Sequence, residues 1–340
     1  MLVRLLQHYP RVVFATTVHG YEGSGRGFEI RFAHLLDKLR PGWEMITLDQ
    51  PVRWAYHDPL EAFSFRALLM NASPVDHHHV RAAVADNCCY QKLDRNDLLD
   101  NEGLLGELFG LLVMAHYRTR PFDLRYLLDA PNVEIHTLSH DGHVLAVAML
   151  SREGGFDRQT SEVIYAGLRR PHGHLLAQSL SAHCGVEVAP EYDYARIVRI
   201  AVHPEFQGRG FGSRLLEALT QETRSSGVVA IGTSFAADER VIRFWQRHDY
   251  WPVHVGVMRE HTTGSFPLLM LRSLNNTGAS ILEEARQRFS LRFPLLREGP
   301  LTYMQPELLS LLDSARITGD TLRPDTGHEL LAFTYAHRGL

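Results

Sequence analysis

Apolar and polar positions fall into blocks along this chain that predict a mixed αβ protein. Near the start, a β-rich run over residues 11–18 leads through a glycine-rich stretch at 20–27. A segment follows with Ile30, Phe32, Leu35 and Leu36 on helical spacing, which completes one strand–turn–helix unit. A second strand is expected over 44–48 and a helix over about 59–70. Further on, a Leu-rich helix at 98–116 places Leu104, Leu105, Leu108, Leu111 and Leu112 on one face, and a shorter helix is expected at 124–128. Strands at 133–138 and 144–150 alternate around Asp141-Gly142, a strong hairpin signal. A strand at 197–202 precedes an amphipathic helix at 212–226 with Leu215, Leu216 and Leu219, closed by Gly227 at its C′ position. A strand at 228–233, a helix capped by Asp238 and reaching His248, and a strand at 251–258 follow. Helices at 279–289 and 306–317 end the pattern. The expected class is α/β (α+β), built around a mixed sheet.

A length of 340 residues predicts more than one structural unit. Residues 71–90 change character, with Pro74, Asp76 and three consecutive histidines, so a boundary is placed there. The expected organisation is an αβ segment at 1–75, a linker at 76–94, a main domain at 95–272 and a helical region at 273–340. With 45% hydrophobic and 22% charged residues, the chain has the make-up of a folded globular protein and excludes wholesale disorder. A net charge of −4 gives no global pull on polyanions, so any nucleic-acid contact has to come from local basic patches. Of the 35 basic residues only Lys38 and Lys92 are lysines. Arginine forks suit phosphate and carboxylate, although a GC-rich coding sequence gives the same bias. Cys88 and Cys89 are adjacent and Cys184 is remote, with no C-x-x-C spacing, which argues against a disulfide framework or a zinc site and for a reducing compartment. His77, His78 and His79 are neighbours that seldom converge on one metal, and no metal is expected. Arg4, His8 and Arg11 interrupt the first apolar residues, and no run approaches the roughly 18 residues that span a bilayer, so a cytoplasmic location without membrane contact is expected.

The strongest chemical signal is Gln207-Gly208-Arg209-Gly210-Phe211-Gly212-Ser213, placed after one strand and before an amphipathic helix. Bare glycines let successive backbone N–H groups point into one concavity, and a helix N-terminus adds partial positive charge; together they suit a diphosphate. The alternative is a tight glycine corner with no ligand. The Q-x-x-G-x-G pattern resembles the acetyl-CoA loop of GCN5-related N-acetyltransferases. In that fold the preceding strand splays from its neighbour, so that Ile200, Ala201 and Val202 are free to pair with the pantetheine arm. A second glycine stretch, Gly20–Gly27, has G-x-x-x-x-G spacing, but Arg26 and Gly27 stand where a P-loop carries Lys and Ser or Thr.

Several further motifs occur in one order: Thr17-Val18-His19-Gly20-Tyr21-Glu22-Gly23, Gln50-Pro51-Val52-Arg53-Trp54, Ala115-His116-Tyr117-Arg118-Thr119, Asp129-Ala130-Pro131 and Arg169-Arg170-Pro171-His172-Gly173-His174. With the glycine loop, this series resembles the bacterial tRNA(Met) cytidine acetyltransferases, which are similar to the eukaryotic RNA cytidine acetyltransferases. The resemblance covers nearly the whole chain. It implies acetyl transfer from acetyl-CoA to N4 of a cytidine, in tRNA the wobble cytidine of elongator tRNA(Met), with ATP and Mg²⁺ used by the full-length family. It also implies a C-terminal tRNA-binding region. The family's P-loop lies upstream of the first motif, so the expectation here is a shortened homologue, or a start assigned inside a longer gene. Arg26 and Arg53, which match arginines near the nucleotide, are then vestigial, and ATP binding is expected to be weak or absent. Two other functions stay open: a GNAT enzyme acting on a protein or small amine, and a non-catalytic remnant that binds CoA or RNA.

The resemblance assigns roles to individual residues. Cytosine N4 is a poor nucleophile that becomes strongly acidic once it has attacked a thioester, so a base and an oxyanion donor are needed. His116 matches the family histidine and is the candidate base, and Arg199 matches an arginine at the reaction centre. Otherwise His116 caps the Leu-rich helix and Arg199 pairs with a core carboxylate. Arg247 matches an arginine that approaches CoA, while Arg240 stands where the family has an acid. Arg118, Arg120, Arg125, Arg169 and Arg170 are candidates for RNA phosphates.

Overall fold

The computed structural model describes residues 5, 6, 8, 9, 11–15, 19, 20, 23, 24, 33, 36–115, 121–260, 264–317, 331–334 and 336. Its strands are β1 His19–Gly20, β2 Gly23–Ser24, β3 Cys89–Leu93, β4 Val133–His140, β5 His143–Gly154, β6 Asp193–Val202, β7 Ala230–Ala236, β8 Trp251–Val255 and β9 Pro267–Ser273. The helices are α1 Pro59–Ala67, α2 Arg95–Asp100, α3 Glu102–Ala115, α4 Pro121–Asp129, α5 Arg158–Tyr165, α6 Leu175–Gln178, α7 Phe211–Arg224, α8 Glu239–Gln246, α9 Asn276–Glu298 and α10 Pro306–Ser314. Strands β3 to β9 form one mixed sheet in the order β3-β4-β5-β6-β7-β9-β8. The class is α/β, as the alternating pattern predicts. The chain divides into two compact units. The first comprises Met1–Pro131, Ile135–Ala148 and Arg199–Leu215; the second comprises Asn132–Glu134, Met149–Val198 and Leu216–Leu340.

In the first unit, Asp141 (φ 49°) and Gly142 (φ 82°) both take the left-handed conformation that a two-residue hairpin turn demands, which fixes the β4–β5 register. Helix α3 buries Leu105, Leu108, Phe109, Leu111, Leu112 and Val113. Glu107 on the same helix accepts hydrogen bonds from the Val144 amide (3.2 Å) and from His143 Nδ1 (2.8 Å), tying the helix to β5. Gly110 brings α3 against the backbone of Ser73: a Cβ there would stand 2.3 Å from the Ser73 carbonyl carbon. No larger residue permits that approach.

In the second unit, β6 pairs in parallel with β7 from Tyr194↔Ala230 to Ile197↔Thr233. The paired register ends there, and β6 runs on to Val202. The core is built from Leu176, Leu180, Tyr194, Ala230, Leu269, Leu271, Ile281 and Ala285 with their neighbours. Helix α9 lays its Ile281, Leu282, Ala285, Phe289 and Phe293 stripe inward, a spacing of three and four residues that marks one helical face. Asn275 caps it by accepting from the Gly278 amide (2.9 Å), and Arg286 lies over the Trp251 ring at 4.0 Å.

Four regions differ from the sequence expectations. Residues 43–49 have no regular structure, and Ile46 and Leu48 are 81% and 92% exposed, although alternation predicts a strand there. Alternation makes a strand only where a sheet accepts its apolar face. The stretch 76–94, expected as a linker, contains two short 3-10 turns and β3, which pairs antiparallel with β4 from Cys89↔Ser139 to Leu93↔Ile135. As an edge strand β3 is mostly exposed and carries Lys92, so its sequence reads as polar. Strand β9 went unrecognised: it lies between β7 and β8, and its near-continuous apolar run has no alternation to betray it. Of the strand expected at 11–18, residues 11–15 have no regular structure and the rest lie outside the described residues.

Candidate functional site

The glycine turn belongs to the first unit, at the end of β6. The His203 amide donates to Leu145 O (2.8 Å), after which the chain leaves the sheet through a 3-10 turn, Pro204–Phe206. His203 is 5% exposed and fixes this departure at both ring nitrogens. Its Nδ1 accepts from the Glu205 amide (3.3 Å) and its Nε2 donates to Val75 O (2.9 Å), which is the neutral tautomer with the proton on Nε2. Phe206 and Phe211 are buried with ring centroids 4.9 Å apart, anchoring both ends of the turn. Between them Gln207 donates its side-chain amide to Val202 O (3.2 Å), closing the strand end.

Gly208 (φ 74°) and Gly210 (φ 91°) adopt the left-handed backbone that glycine alone takes readily. Space is not what selects them. A Cβ at Gly208 would meet nothing within 4 Å, and one at Gly210 only the Ala85 methyl at 3.8 Å. The first hydrogen bond of α7 runs from the Arg214 amide to Gly210 O (2.9 Å). The amides of Gly208, Gly210, Phe211 and Gly212 therefore lack an acceptor among the described residues. Residues 207–210 are exposed, and Gly212 and Ser213 are half-buried at the start of the 14-residue helix. Arg209 folds back along the turn, its guanidinium 4.8 Å from the Phe206 ring centroid and within 3.5 Å of Ala83 O. The result is a run of N–H donors without acceptors among the described residues, at a helix N-terminus, which suits a diphosphate.

Residues 72–85 form the support of this turn, a role the sequence reading assigned to no segment. Val75 O holds His203, Ala83 O receives Arg209, and His77 packs its ring 5.6 Å from Phe206. Val80 and Ala83 are fully buried beneath. Asp76 caps the turn that carries the three histidines by accepting from the His78 amide (2.8 Å), and His79 packs toward His143 instead (6.0 Å). A lone Pro74-x-Asp76 pair was the signal available, and it reads as a loop.

Arg199 sits on β6 just before the turn, 15% exposed, with its guanidinium 2.9 Å from Asp123 Oδ1 of α4. Ala201 is buried and Ile200 and Val202 are half-buried, the alternation of a strand. Arg53 is exposed within a bend, and Arg125 pairs with Asp129 on the surface of α4 (3.3 Å). His116, Arg118, Arg120 and Arg26 lie outside the described residues.

In the second unit, Arg240 and Arg247 are both exposed, in the first turn and at the C-cap of α8. Asp238 caps that helix by accepting from the Arg240 and Val241 amides (3.0 and 3.1 Å). Arg169 and Arg170 are exposed in the loop between α5 and α6. Behind that loop lies a feature that sequence reasoning missed. Glu153, 2% exposed, accepts from Arg196 Nε (2.5 Å) and from the Leu176 amide (2.6 Å). Burial pushes its carboxyl up, against the weaker lowering pull of Arg196 and the amide hydrogen bonds. It lies beyond the strand expected at 144–150, and nothing in the local sequence marks it as buried.

Residues 1–71 match the family model described as RNA cytidine acetyltransferase NAT10/TcmA, helicase domain, and residues 107–229 match GNAT acetyltransferase 2. The chain is 44% identical over 340 residues to a tRNA(Met) cytidine acetyltransferase TmcA of Nitrosococcus halophilus, covering 99% of this chain and 46% of that relative. Against the protein of the same name from Haloarcula marismortui it is 38% identical over 310 residues, covering 90% of this chain and 40% of the relative. The Pectobacterium atrosepticum protein is 34% identical over 348 residues, with 99% and 48% covered. The chain thus spans about half the length of the curated relatives it matches. By likeness across nearly all of its own length, it belongs to the tRNA(Met) cytidine acetyltransferase family.

Proposed function

We propose that this chain transfers an acetyl group from acetyl-CoA to N4 of a cytidine in RNA, the wobble cytidine of elongator tRNA(Met), to give N4-acetylcytidine. The observation that carries the reading is the turn at 207–213, exposed over 207–210, where the amides of Gly208, Gly210, Phe211 and Gly212 have no acceptor among the described residues and suit the diphosphate of a CoA. Gly208, Gly210, Phe211 and Gly212 hold that diphosphate with backbone N–H groups, and Gln207, Arg209 and Ser213 border it. Ile200, Ala201 and Val202 offer strand-edge backbone to the pantetheine arm beyond the point where the β6–β7 register ends. Arg240 and Arg247 are the arginines proposed to approach the carrier.

Arg199 supplies a fixed positive charge for the oxyanion that develops as N4 attacks the acetyl carbonyl, and Asp123 orients it. His116 takes the proton that N4 sheds, the carbon–sulfur bond breaks, and the departing thiolate is protonated to free CoA. Arg118, Arg120, Arg169 and Arg170 bind RNA phosphates, and residues 273–340 complete the tRNA surface. An anticodon-loop base is already unpaired, so it enters a pocket at little unstacking cost. Arg26 and Gly27 stand where a P-loop carries Lys and Ser or Thr, so the Gly20–Gly27 stretch by itself is not proposed to hold Mg·ATP. No helix among the described residues is long and apolar enough to cross a membrane. The reading places the protein with its tRNA in the cytoplasm.

The test is incubation of the purified chain with labelled acetyl-CoA and either total tRNA or a peptide pool, followed by nucleoside analysis. Label in tRNA as N4-acetylcytidine is the expected result. Label in peptide instead assigns a protein substrate, and tight CoA binding without transfer to either assigns a binding protein.

A further inference from the structure

The second unit contains an open cleft of about 400 Å³ in the segment between β5 and β6. Arg169, Arg170, His172, Gln178, Ser179 and His183 contribute its polar lining, and no acidic side chain borders it. The volume is within the range of small-ligand sites, roughly 300–1,000 Å³. Among the described residues neither Arg169 nor Arg170 has an ion-pair partner, although Arg169 lies within electrostatic reach of the exposed Asp157.

The loop that carries these arginines is fixed in place. The Gly154 amide donates to His174 Nδ1 (2.9 Å), and the His174 ring packs 4.6 Å from Phe156. Gln178 donates its side-chain amide to Pro171 O, Gly173 takes a left-handed φ of 82°, and buried Glu153 holds the Leu176 amide. The His183 ring stacks on His254 at 5.1 Å, nearly parallel, which holds one flat ring at the cleft wall. Exposed guanidinium groups on a fixed loop beside flat rings, with no carboxylate in the cleft lining, match an unpaired nucleotide: phosphate against arginine, base against imidazole.

We infer that this cleft is a subsite for one nucleotide of a single-stranded RNA segment, with Arg169 and Arg170 on its phosphate and His172 and His183 beside its base. The inference rests on the RNA substrate proposed above. It is tested on the full chain by anisotropy of a labelled single-stranded oligoribonucleotide at several salt concentrations. The variants are Arg169→Ala, Arg170→Ala and, as a control of equal charge change outside the cleft, Arg158→Ala, whose side chain is 84% exposed beside Glu162.

Each cleft variant is expected to weaken RNA binding about tenfold and to lower the salt slope by about 0.7 for each lost phosphate contact, while Arg158→Ala leaves both unchanged. Acetyl-CoA affinity stays at the wild-type value throughout, which shows the variants to be folded. Wild-type RNA binding with cleft variants that behave like Arg158→Ala overturns the subsite and leaves the RNA reading standing. A wild-type chain that binds acetyl-CoA but no RNA overturns both.

Discussion

Gly110 and Gly106 lie on the same face-to-face run of α3, and alanine at the two positions should have opposite effects. At Gly110 a Cβ would stand 2.3, 2.5 and 2.6 Å from the carbonyl carbon, Cα and nitrogen of Ser73, whereas at Gly106 it meets nothing within 4 Å. Carbon atoms in contact rest about 3.5–4.0 Å apart. Helix α3 or the Ser73 backbone must therefore yield by roughly 1 Å, at an overpacking cost near the upper end of about 1–3 kcal/mol. Both substitutions gain the roughly 0.8–1 kcal/mol by which alanine outranks glycine in a helix. Gly110→Ala is thus expected to lose about 2 kcal/mol net, and Gly106→Ala to gain up to about 1. The displaced segment includes Val75, whose carbonyl holds His203 at the mouth of the glycine turn, so losing that hydrogen bond should weaken acetyl-CoA by about fivefold. Urea midpoints and calorimetric titration of acetyl-CoA read the two effects separately. Equal midpoints for the two variants refute the packing argument. A destabilised Gly110→Ala that binds acetyl-CoA like the wild type refutes the relay through Val75.

Other predictions concern the buried charges and the proposed chemistry. Burial, with His183 and Arg292 nearby, pushes His254 down to about 3. It is therefore neutral when folded and takes up a proton on unfolding below about 6.5, so its contribution is complete above that pH and is lost as pH falls: about 2 kcal/mol of stability is gone by pH 5. Denaturant midpoints should fall between pH 6.5 and 5, and His254→Phe should flatten the profile; an unchanged slope in that variant contradicts the assignment. Arg196→Leu strands the Glu153 carboxylate and should cost about 3–5 kcal/mol by chemical denaturation. Adding Glu153→Leu should restore only part of that loss, because the Leu176 amide still lacks its acceptor. His116→Ala should reduce turnover at least ~100-fold with acetyl-CoA affinity intact, and a folded variant with near-normal turnover moves the base elsewhere.

Much of the site's local structure was legible because short-range rules govern it. Gly208, Gly210 and Gly212 after a β-rich run announce a turn of bare amides, and Asp141-Gly142 and Asp238 announce a hairpin and a cap, all from chemistry within a few residues. What escaped depends on distant partners. Val75 supports the turn only because Gly110 lets α3 approach Ser73, and nothing in either local sequence states that pairing. Strand β3 looks polar because it lies at a sheet edge. Glu153 looks like an ordinary surface acid until Arg196 and the Leu176 amide are brought to it. Arg199 illustrates the limit in the other direction. Its position before the turn was legible, while its partner Asp123, on another helix, was not.

The central claim is that the amides of Gly208, Gly210, Phe211 and Gly212 grip a diphosphate, and calorimetry with acetyl-CoA and with acetyl-pantetheine, which lacks that group, tests it most directly. Hydrogen bonds to a charged partner contribute about 1.5–3 kcal/mol each. The wild-type chain should therefore bind acetyl-CoA at least 100-fold more tightly than acetyl-pantetheine, and Gly210→Val, strained at φ 91°, should erase most of that difference. Equal affinity for the two thioesters, or a Gly210→Val chain that still tells them apart, would contradict the account.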